Sequence, residues 1–359
     1  MQSVIVNPSV FYDDSMNANC ARACANVNIA LIKYWGKRNE ELILPYASSL
    51  SLTLADWGTE TQVSFDENLS EDNISLDGVT LVGGKSNKVR NRIISMLDLI
   101  RARAGISLKA NVVSHNSVPT AAGLASSASG FAALAAAGAY AAGLNLSPRE
   151  LSKLARRGSG SACRSIFGGL SIWNAGEDDE SSYAEPIQMP ENLQLAMITI
   201  VLDSAPKPIS SREAMSRTVK TSPTYIPWIK QSEKDFQNAI CAIKNSDIET
   251  LGNIVEKNFM GMHETMHNAV PSVNYITEDS YKILEIIKNL RSKGLPVWAT
   301  MDAGPNVKVL TVKSEAEKVA NDLRSHISKV LDNSNLSSNK PIRIMVALPG
   351  DGVRIFVRK

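Results

Sequence analysis

The sequence predicts an α+β protein of two domains, a mixed first part followed by a helix-rich second part. Three observations carry this. The chain has 359 residues, enough for about two domains, each with its own hydrophobic core. Period-2 alternation recurs through the first 200 residues, with 48–54 reading Ser-Leu-Ser-Leu-Thr-Leu from Ser49. From Asp203 onward apolar residues instead recur at helical spacing.

In order, residues 1–20 are polar and mixed and read as an N-terminal extension, a ragged leader. Residues 24–33 read as a strand, after which Tyr34-Trp35-Gly36-Lys37-Arg38 turns the chain and projects aromatic and cationic side chains. Residues 48–54 and 59–65 read as two half-buried strands, and 66–77 as an acidic, turn-rich hairpin connection. Helical spacing of Val89, Ile93, Met96, Leu97 and Ile100 predicts a helix over 88–104, and 108–116 a strand. An alanine-rich helix follows to about Gly143. Ser147-Pro148-Arg149-Glu150 starts another, with serine as N-cap and proline at the first position. Strands are expected at 166–173 and 196–201. The second part reads as helices at 211–218, 226–244, 248–266, 279–292 and 315–332, strands at 297–301 and 307–312, and two final strands. The resulting division is 1–20 extension, 21–200 first domain, 201–359 second domain.

Composition excludes several classes of function. Lysine plus arginine number 38 against 36 aspartate plus glutamate, so overall charge recommends neither nucleic acid nor membrane as partner. Any affinity for anions must be local. The leader lacks a basic region and an apolar core, and 131–144 is too short and alanine-rich to span a bilayer. Four cysteines, Cys20, Cys24, Cys163 and Cys241, form no CxxC pair, which implies neither a zinc site nor a disulfide framework. A cytoplasmic protein is expected.

Five stretches could carry chemistry. In 118–130, a glycine and serines open the alanine-rich helix, whose first turn offers unpaired N–H groups and positive dipole to a phosphate. No Gly-Lys-Ser/Thr follows, so it is not a Walker A loop. The alternative is a small-residue helix that admits a close neighbour. In 156–165, glycines and serines allow close backbone approach and Arg164 adds a planar fork for carboxylate or phosphate, unless the arginines are merely solvated. Asp302, before Ala303-Gly304-Pro305, is either a turn cap or a base at a strand's end. Ser210-Ser211-Arg212 opens a helix and is either an anion site or a plain N-cap. His263-Glu264-Thr265-Met266-His267 fits H-E-x-x-H, which would suit a zinc protease if Glu278 or Glu285 supplied a third ligand.

Three of these stretches, together with the segment 28–37 and in family order, make the chain resemble the GHMP small-molecule kinase superfamily and, within it, the diphosphomevalonate decarboxylases. The carrying residues are 28–37, 119–129, 157–165 and 301–306. The resemblance implies a ribosomal protein S5 domain 2-like first domain, a ferredoxin-like second domain and an active site in the cleft between them. It implies ATP-dependent decarboxylation of mevalonate 5-diphosphate to isopentenyl diphosphate, ADP, phosphate and carbon dioxide, with ATP as co-substrate and Mg²⁺. Asp302 would accept or orient the C3 hydroxyl proton, Arg164 would hold the carboxylate, and Lys37 would complete the catalytic set. Tyr34, Lys37, Ser159, Ser161, Arg164, Ser211 and Arg212 match substrate-gripping positions, with Asn28 and Lys33 in the same segment. Pro119, Ala122, Gly123, Leu124, Ala125, Ser126, Ser127 and Ser129 would cradle ATP, Ser126 or Ser127 touching Mg²⁺ that the nucleotide otherwise holds. Homodimerisation is the family habit. Relatives that stop at phosphorylation or use the monophosphate are the near alternatives; the set Lys37, Arg164 and Asp302 favours the full decarboxylase. Two departures stand out, the extension itself and Asn26-Val27 where the family commonly has Pro or Thr.

Overall fold

The computed structural model describes residues 4–17, 19–83, 87–117, 126–202, 209–330 and 342–359. The chain begins with β1 (Ser9–Tyr12), β2 (Cys20–Ile32), the small pair β3 (Lys37–Asn39) and β4 (Leu44–Pro45), β5 (Ser49–Asp66), β6 (Asn73–Leu76) and β7 (Val79–Thr80). Next come α1 (Lys88–Ala104), β8 (Lys109–Asn116), α2 (Ser126–Ala141), α3 (Pro148–Gly158), a 3₁₀ turn (Gly160–Ile166), β9 (Leu170–Trp173), β10 (Ala184–Ile187) and β11 (Leu195–Val201). The remainder is α4 (Ser211–Thr221), α5 (Tyr225–Lys244), α6 (Ile248–His267), α7 (Glu278–Ser292), β12 (Trp298–Met301), β13 (Val307–Val312), α8 (Ala316–Val330), β14 (Arg343–Ala347) and β15 (Arg354–Val357).

A nine-stranded sheet runs β1-β15-β2-β5-β8-β6-β7, with β9 on β5 and β10 on β9; a four-stranded antiparallel sheet runs β12-β13-β11-β14. The architecture is the expected α+β. The helix predicted over 88–104 forms with those ends, stopped by Gly105 in the left-handed conformation. Ser147 caps α3 through a capping box with Glu150. In α2, Ala132, Ala133, Ala135, Ala136, Ala137 and Ala139 are fully buried. Their small side chains let the helix lie close on β2 and β5 while packing against α1 and α3.

The two strands expected at 48–54 and 59–65 form one, β5, kinked where Asp56 takes φ +64°. Between its halves the pairing with β2 shifts register, from Asn26↔Gly58 to Asn28↔Thr53, so the alternation breaks without ending the strand. The connection expected at 66–77 contains β6, which pairs in parallel with β8. The leader is corrected too: β1 pairs in parallel with β15, and β15 pairs with β2. Residues 354–357, assigned by sequence to the second domain, therefore belong to the first sheet. Their alternation satisfies either sheet equally, and only long-range pairing decides between them.

One hydrophobic cluster spans both sheets. Ile29 and Leu31 of β2 and Leu50, Leu52 and Leu54 of β5 meet Leu195 and Met197 of β11, Phe236 of α5, Val255 of α6 and Leu310 of β13. This shared core fixes β2 against α6 and β13, and that junction holds the site.

Candidate active site

A cleft of about 320 Å³ opens where β2 ends, lined from the 34–37 segment, the 3₁₀ turn, the first turns of α2 and α4, α6 and the turn after β12. Lys33, the residue after β2, is 1% exposed. Its Nζ donates to Asp302 Oδ1 at 2.7 Å and to the Ala30 carbonyl at 2.9 Å. Lys308 of β13, equally buried, brings its Nζ to 3.1 Å from Asp302 Oδ2. Burial works to raise the Asp302 pKa, but Lys308 and Lys33 outweigh it and hold the carboxyl well below the usual carboxylate range. Lys33 is also lowered, to about 8, because burial opposes its charge more than Asp302 supports it.

Arg164 stands on the 3₁₀ turn at 2% exposure. Its Nη1 donates to Ser49 Oγ at 2.5 Å, and Nε and Nη2 both reach Asn28 Oδ1 at 3.3 Å. Asn28 is aimed in turn by donating to the Ser161 carbonyl and Ser165 Oγ. Among the described residues no acid forms an ion pair with Arg164. Burial lowers its pKa, and Asp302 acts only at longer range. A buried guanidinium without a bonded acid is costly and is ready for an anionic ligand.

Further basic groups line the cleft. Lys37 lines it while pairing with Glu40 at 2.5 Å. Arg212 and Arg92 both donate to the Gly158 carbonyl, at 3.2 and 2.9 Å. Arg92 is pushed down to about 10, by burial first and by the Arg212 charge second. The Tyr34 hydroxyl is buried with no hydrogen-bond partner among the described residues, and burial raises its pKa. Ser159, Ser161 and Ser211 also line the cleft, so every expected substrate-gripping residue reaches it.

Arg92 and Lys308 were missed by sequence reasoning, whereas Ser210, one of the two readings open for 210–212, lines the cleft. Arg92 falls within the helix expected over 88–104 and Lys308 within the strand expected over 307–312. No local signal marked either; their roles come from what stands opposite them in the fold.

A second cavity of about 180 Å³ adjoins the first, lined by Thr59, Thr61, Leu76, Val112, Asn116, Phe131 and Leu134 among others. Arg92 and Ser127 line both cavities. Of the expected ATP cradle, Pro119, Ala122, Gly123, Leu124 and Ala125 lie outside the described residues, as does the Ser126 side chain. Ser129 is fully buried, its Oγ 2.8 Å from Thr59 Oγ1, and it lines neither cavity. Three residues into α2, its side chain has rotated from the helix mouth toward the sheet.

Residues 25–184 match the diphosphomevalonate decarboxylase-like N-terminal domain, and 196–348 the mevalonate 5-diphosphate decarboxylase C-terminal domain. The chain belongs to the diphosphomevalonate decarboxylase family. The curated diphosphomevalonate decarboxylase of Debaryomyces hansenii is 33% identical over 351 residues, covering 91% of this chain and 90% of its own. The solved mevalonate diphosphate decarboxylase of Enterococcus faecalis is 46% identical at TM-score 0.85, covering 94% and 98% of the two chains. A structure described as MDDEF in complex with MVAPP, AMPPCP and magnesium matches with the same figures.

Membership of the decarboxylase family displaces the zinc-protease reading of 263–267, and the geometry gives the reason. His263 is buried and pushed down to about 3, by burial first and by Lys33 next, while His267 bonds Asn274. Glu278, a candidate third ligand, pairs with Lys282 instead. Among the described residues no three His, Cys, Asp or Glu side chains are grouped as a metal would need.

Proposed function

We propose that this cleft seats mevalonate 5-diphosphate with its carboxylate on Arg164, its C3 hydroxyl on Asp302 and its diphosphate toward Lys37, Arg212, Tyr34, Ser159, Ser161 and Ser211. The reaction is ATP-dependent decarboxylation to isopentenyl diphosphate, ADP, phosphate and carbon dioxide. Hydroxide is a poor leaving group, so the C3 oxygen is first phosphorylated. Phosphate then departs while the electrons of the C–CO₂ bond form the alkene. One observation carries this reading: a clamped, ionised carboxylate and a buried guanidinium with no bonded acid line the same cleft.

Because two ammonium groups hold Asp302 ionised, it accepts a proton weakly. Proton transfer from the C3 hydroxyl therefore accompanies formation of the O–P bond rather than preceding it. Arg164 fixes the carboxylate as a bidentate partner and keeps it aligned for cleavage. The adjoining cavity suits a nucleoside base, with apolar walls from Leu76, Val112, Phe131 and Leu134 and hydroxyl or amide groups from Thr59, Thr61 and Asn116. Phosphates directed from it meet the first turn of α2, where Ser127 is available to them or to Mg²⁺. Mg²⁺, when bound, neutralises charge on the transferring phosphoryl group.

The cytoplasm and a homodimer complete the proposal. The four cysteines are free, as in a reducing compartment, and no helix among the described residues is long and apolar enough to cross a membrane. Exposed Met260 and Tyr281 line a groove of about 690 Å³ on α6 and α7 that a second copy could cover.

Purified protein given Mg·ATP and mevalonate 5-diphosphate should release ADP, phosphate and carbon dioxide in equal amounts. ADP without carbon dioxide would make it a kinase, and turnover of the 5-phosphate alone would reassign the substrate. Asp302→Asn should lower kcat by several orders of magnitude with little change in KM.

A further inference from the structure

We infer that Lys308 is a positioning residue for this reaction: it holds Asp302 Oδ2 while Lys33 holds Oδ1, so that the carboxylate presents one fixed edge to the C3 hydroxyl. The inference rests on the role proposed for Asp302.

Lys308 lies within β13, directly opposite Thr300 of β12 on one side and Thr199 of β11 on the other. A sheet interior is an expensive place for an ammonium group, and an apolar side chain would satisfy the packing there at less cost. Among the described residues, Asp302 is the acid with which Lys308 pairs. Asp302 follows β12 and is the more exposed partner, with its side chain 34% accessible against 2% for Lys308. Lys308 is thus the partner set in the sheet and Asp302 the one on the turn. With both oxygens engaged, rotation of the carboxylate about χ2 breaks a bond to one lysine or the other. That pre-orients the base before substrate arrives. The charged or titratable groups facing the pair are Lys33 beyond β2, Arg164 on the 3₁₀ turn and neutral His263 on α6.

A purely structural tie between β13 and the turn would predict different behaviour from a positioning role. The test compares full-length Lys308→Met and Lys308→Arg with wild type for kcat, both KM values, melting temperature and the pH profile of kcat/KM. Positioning predicts that Lys308→Met loses about 100-fold in kcat, the scale of a misplaced catalytic group, at unchanged KM for ATP and unchanged or higher melting temperature. Both pH limbs should also move upward. Without Lys308, Asp302 gains protons more readily, and Lys33 loses a repelling neighbour and keeps its proton to higher pH. Lys308→Arg should recover much of the rate. A variant with wild-type kcat and unmoved limbs would overturn the inference, as would a fall in kcat that only tracks a fall in melting temperature. If Lys308→Met does not fold, Lys308→Gln, which keeps length and polarity, is judged by the same measurements. Absence of carbon dioxide release by the wild type would instead count against the reading of the cleft.

Discussion

At the scale of single residues, stability and function pull in opposite directions at Arg164. Its guanidinium is 2% exposed, touches Ser49 and Asn28, and carries a charge whose desolvation no bonded acid offsets. Replacing it with glutamine removes that charge while leaving a hydrogen-bonding group near Asn28. Arg164→Gln should therefore melt no lower than wild type, since an uncompensated buried charge is destabilising. Its kcat should fall by about 100- to 1,000-fold, the range for losing one electrostatic anchor, with ATP affinity nearly intact. Differential scanning calorimetry beside steady-state kinetics reads both quantities. A drop in ATP affinity larger than the drop in kcat would remove Arg164 from the substrate carboxylate. Tyr34 shows the same tension more mildly, with a buried hydroxyl that has no partner among the described residues. Leaving it so costs stability unless a ligand oxygen completes it.

At the scale of elements, legibility followed the range of the interactions involved. Helix α1 was readable end to end, because its apolar spacing and the glycine that stops it are local. So was the start of α3, where Ser147 and Glu150 cap each other. The kink at Asp56 was not, since a strand that bends and resumes looks like two strands. Of the cleft, the Gly/Ser-rich stretches and Asp302 were visible because special backbones and strand-end acids stand out locally. Arg92 and Lys308 were hidden, since their meaning depends on partners 66 and 6 residues away that the fold supplies. The 3₁₀ turn yields an element-scale prediction. A Cβ on Gly160 would lie 2.8 Å from Trp173 Cη2 and 2.9 Å from the Tyr34 ring. Trp173 is fully buried, so Tyr34 is the side chain that must yield, and it lines the cleft. Gly160→Ala should raise KM for the diphosphate substrate about 10-fold, one lost contact of ~1.4 kcal/mol, while KM for ATP stays put. Substrate titrations of the variant check this, and an unchanged KM would show that Tyr34 does not grip substrate.

At the scale of the molecule, the two ends of the chain brace the segment that carries Arg164. The Ile5 carbonyl accepts from Gly352 N and the Val6 carbonyl from Gly168 N, both at 2.7 Å, and Ile5 N donates to Asp351 Oδ1 at 2.8 Å. Ser9 N and Asp13 N then donate to the Val353 and Val357 carbonyls at either end of β1. Val353 N in turn donates to the Ile166 carbonyl at 3.0 Å, two residues from Arg164. The stretch that reads in sequence as a ragged leader therefore closes a strap: residues 5–13 hold 351–357, and both hold 166–168. Each net hydrogen bond contributes on the order of 1 kcal/mol, and Phe11 stacked on Phe356 adds an aromatic contact. Deleting residues 1–13 should lower the melting temperature by several degrees. It should also lower kcat more than it changes KM for ATP, because the loosened 166–168 segment adjoins Arg164, the proposed carboxylate anchor, and contributes nothing to the lining of the cavity proposed for the nucleotide. Comparing truncated and full-length protein by thermal melt and kinetics is decisive. Equal melting temperatures would mean that β1 merely lies along the sheet edge, and a lower melt with unchanged kcat would mean that the brace stabilises the fold without reaching Arg164.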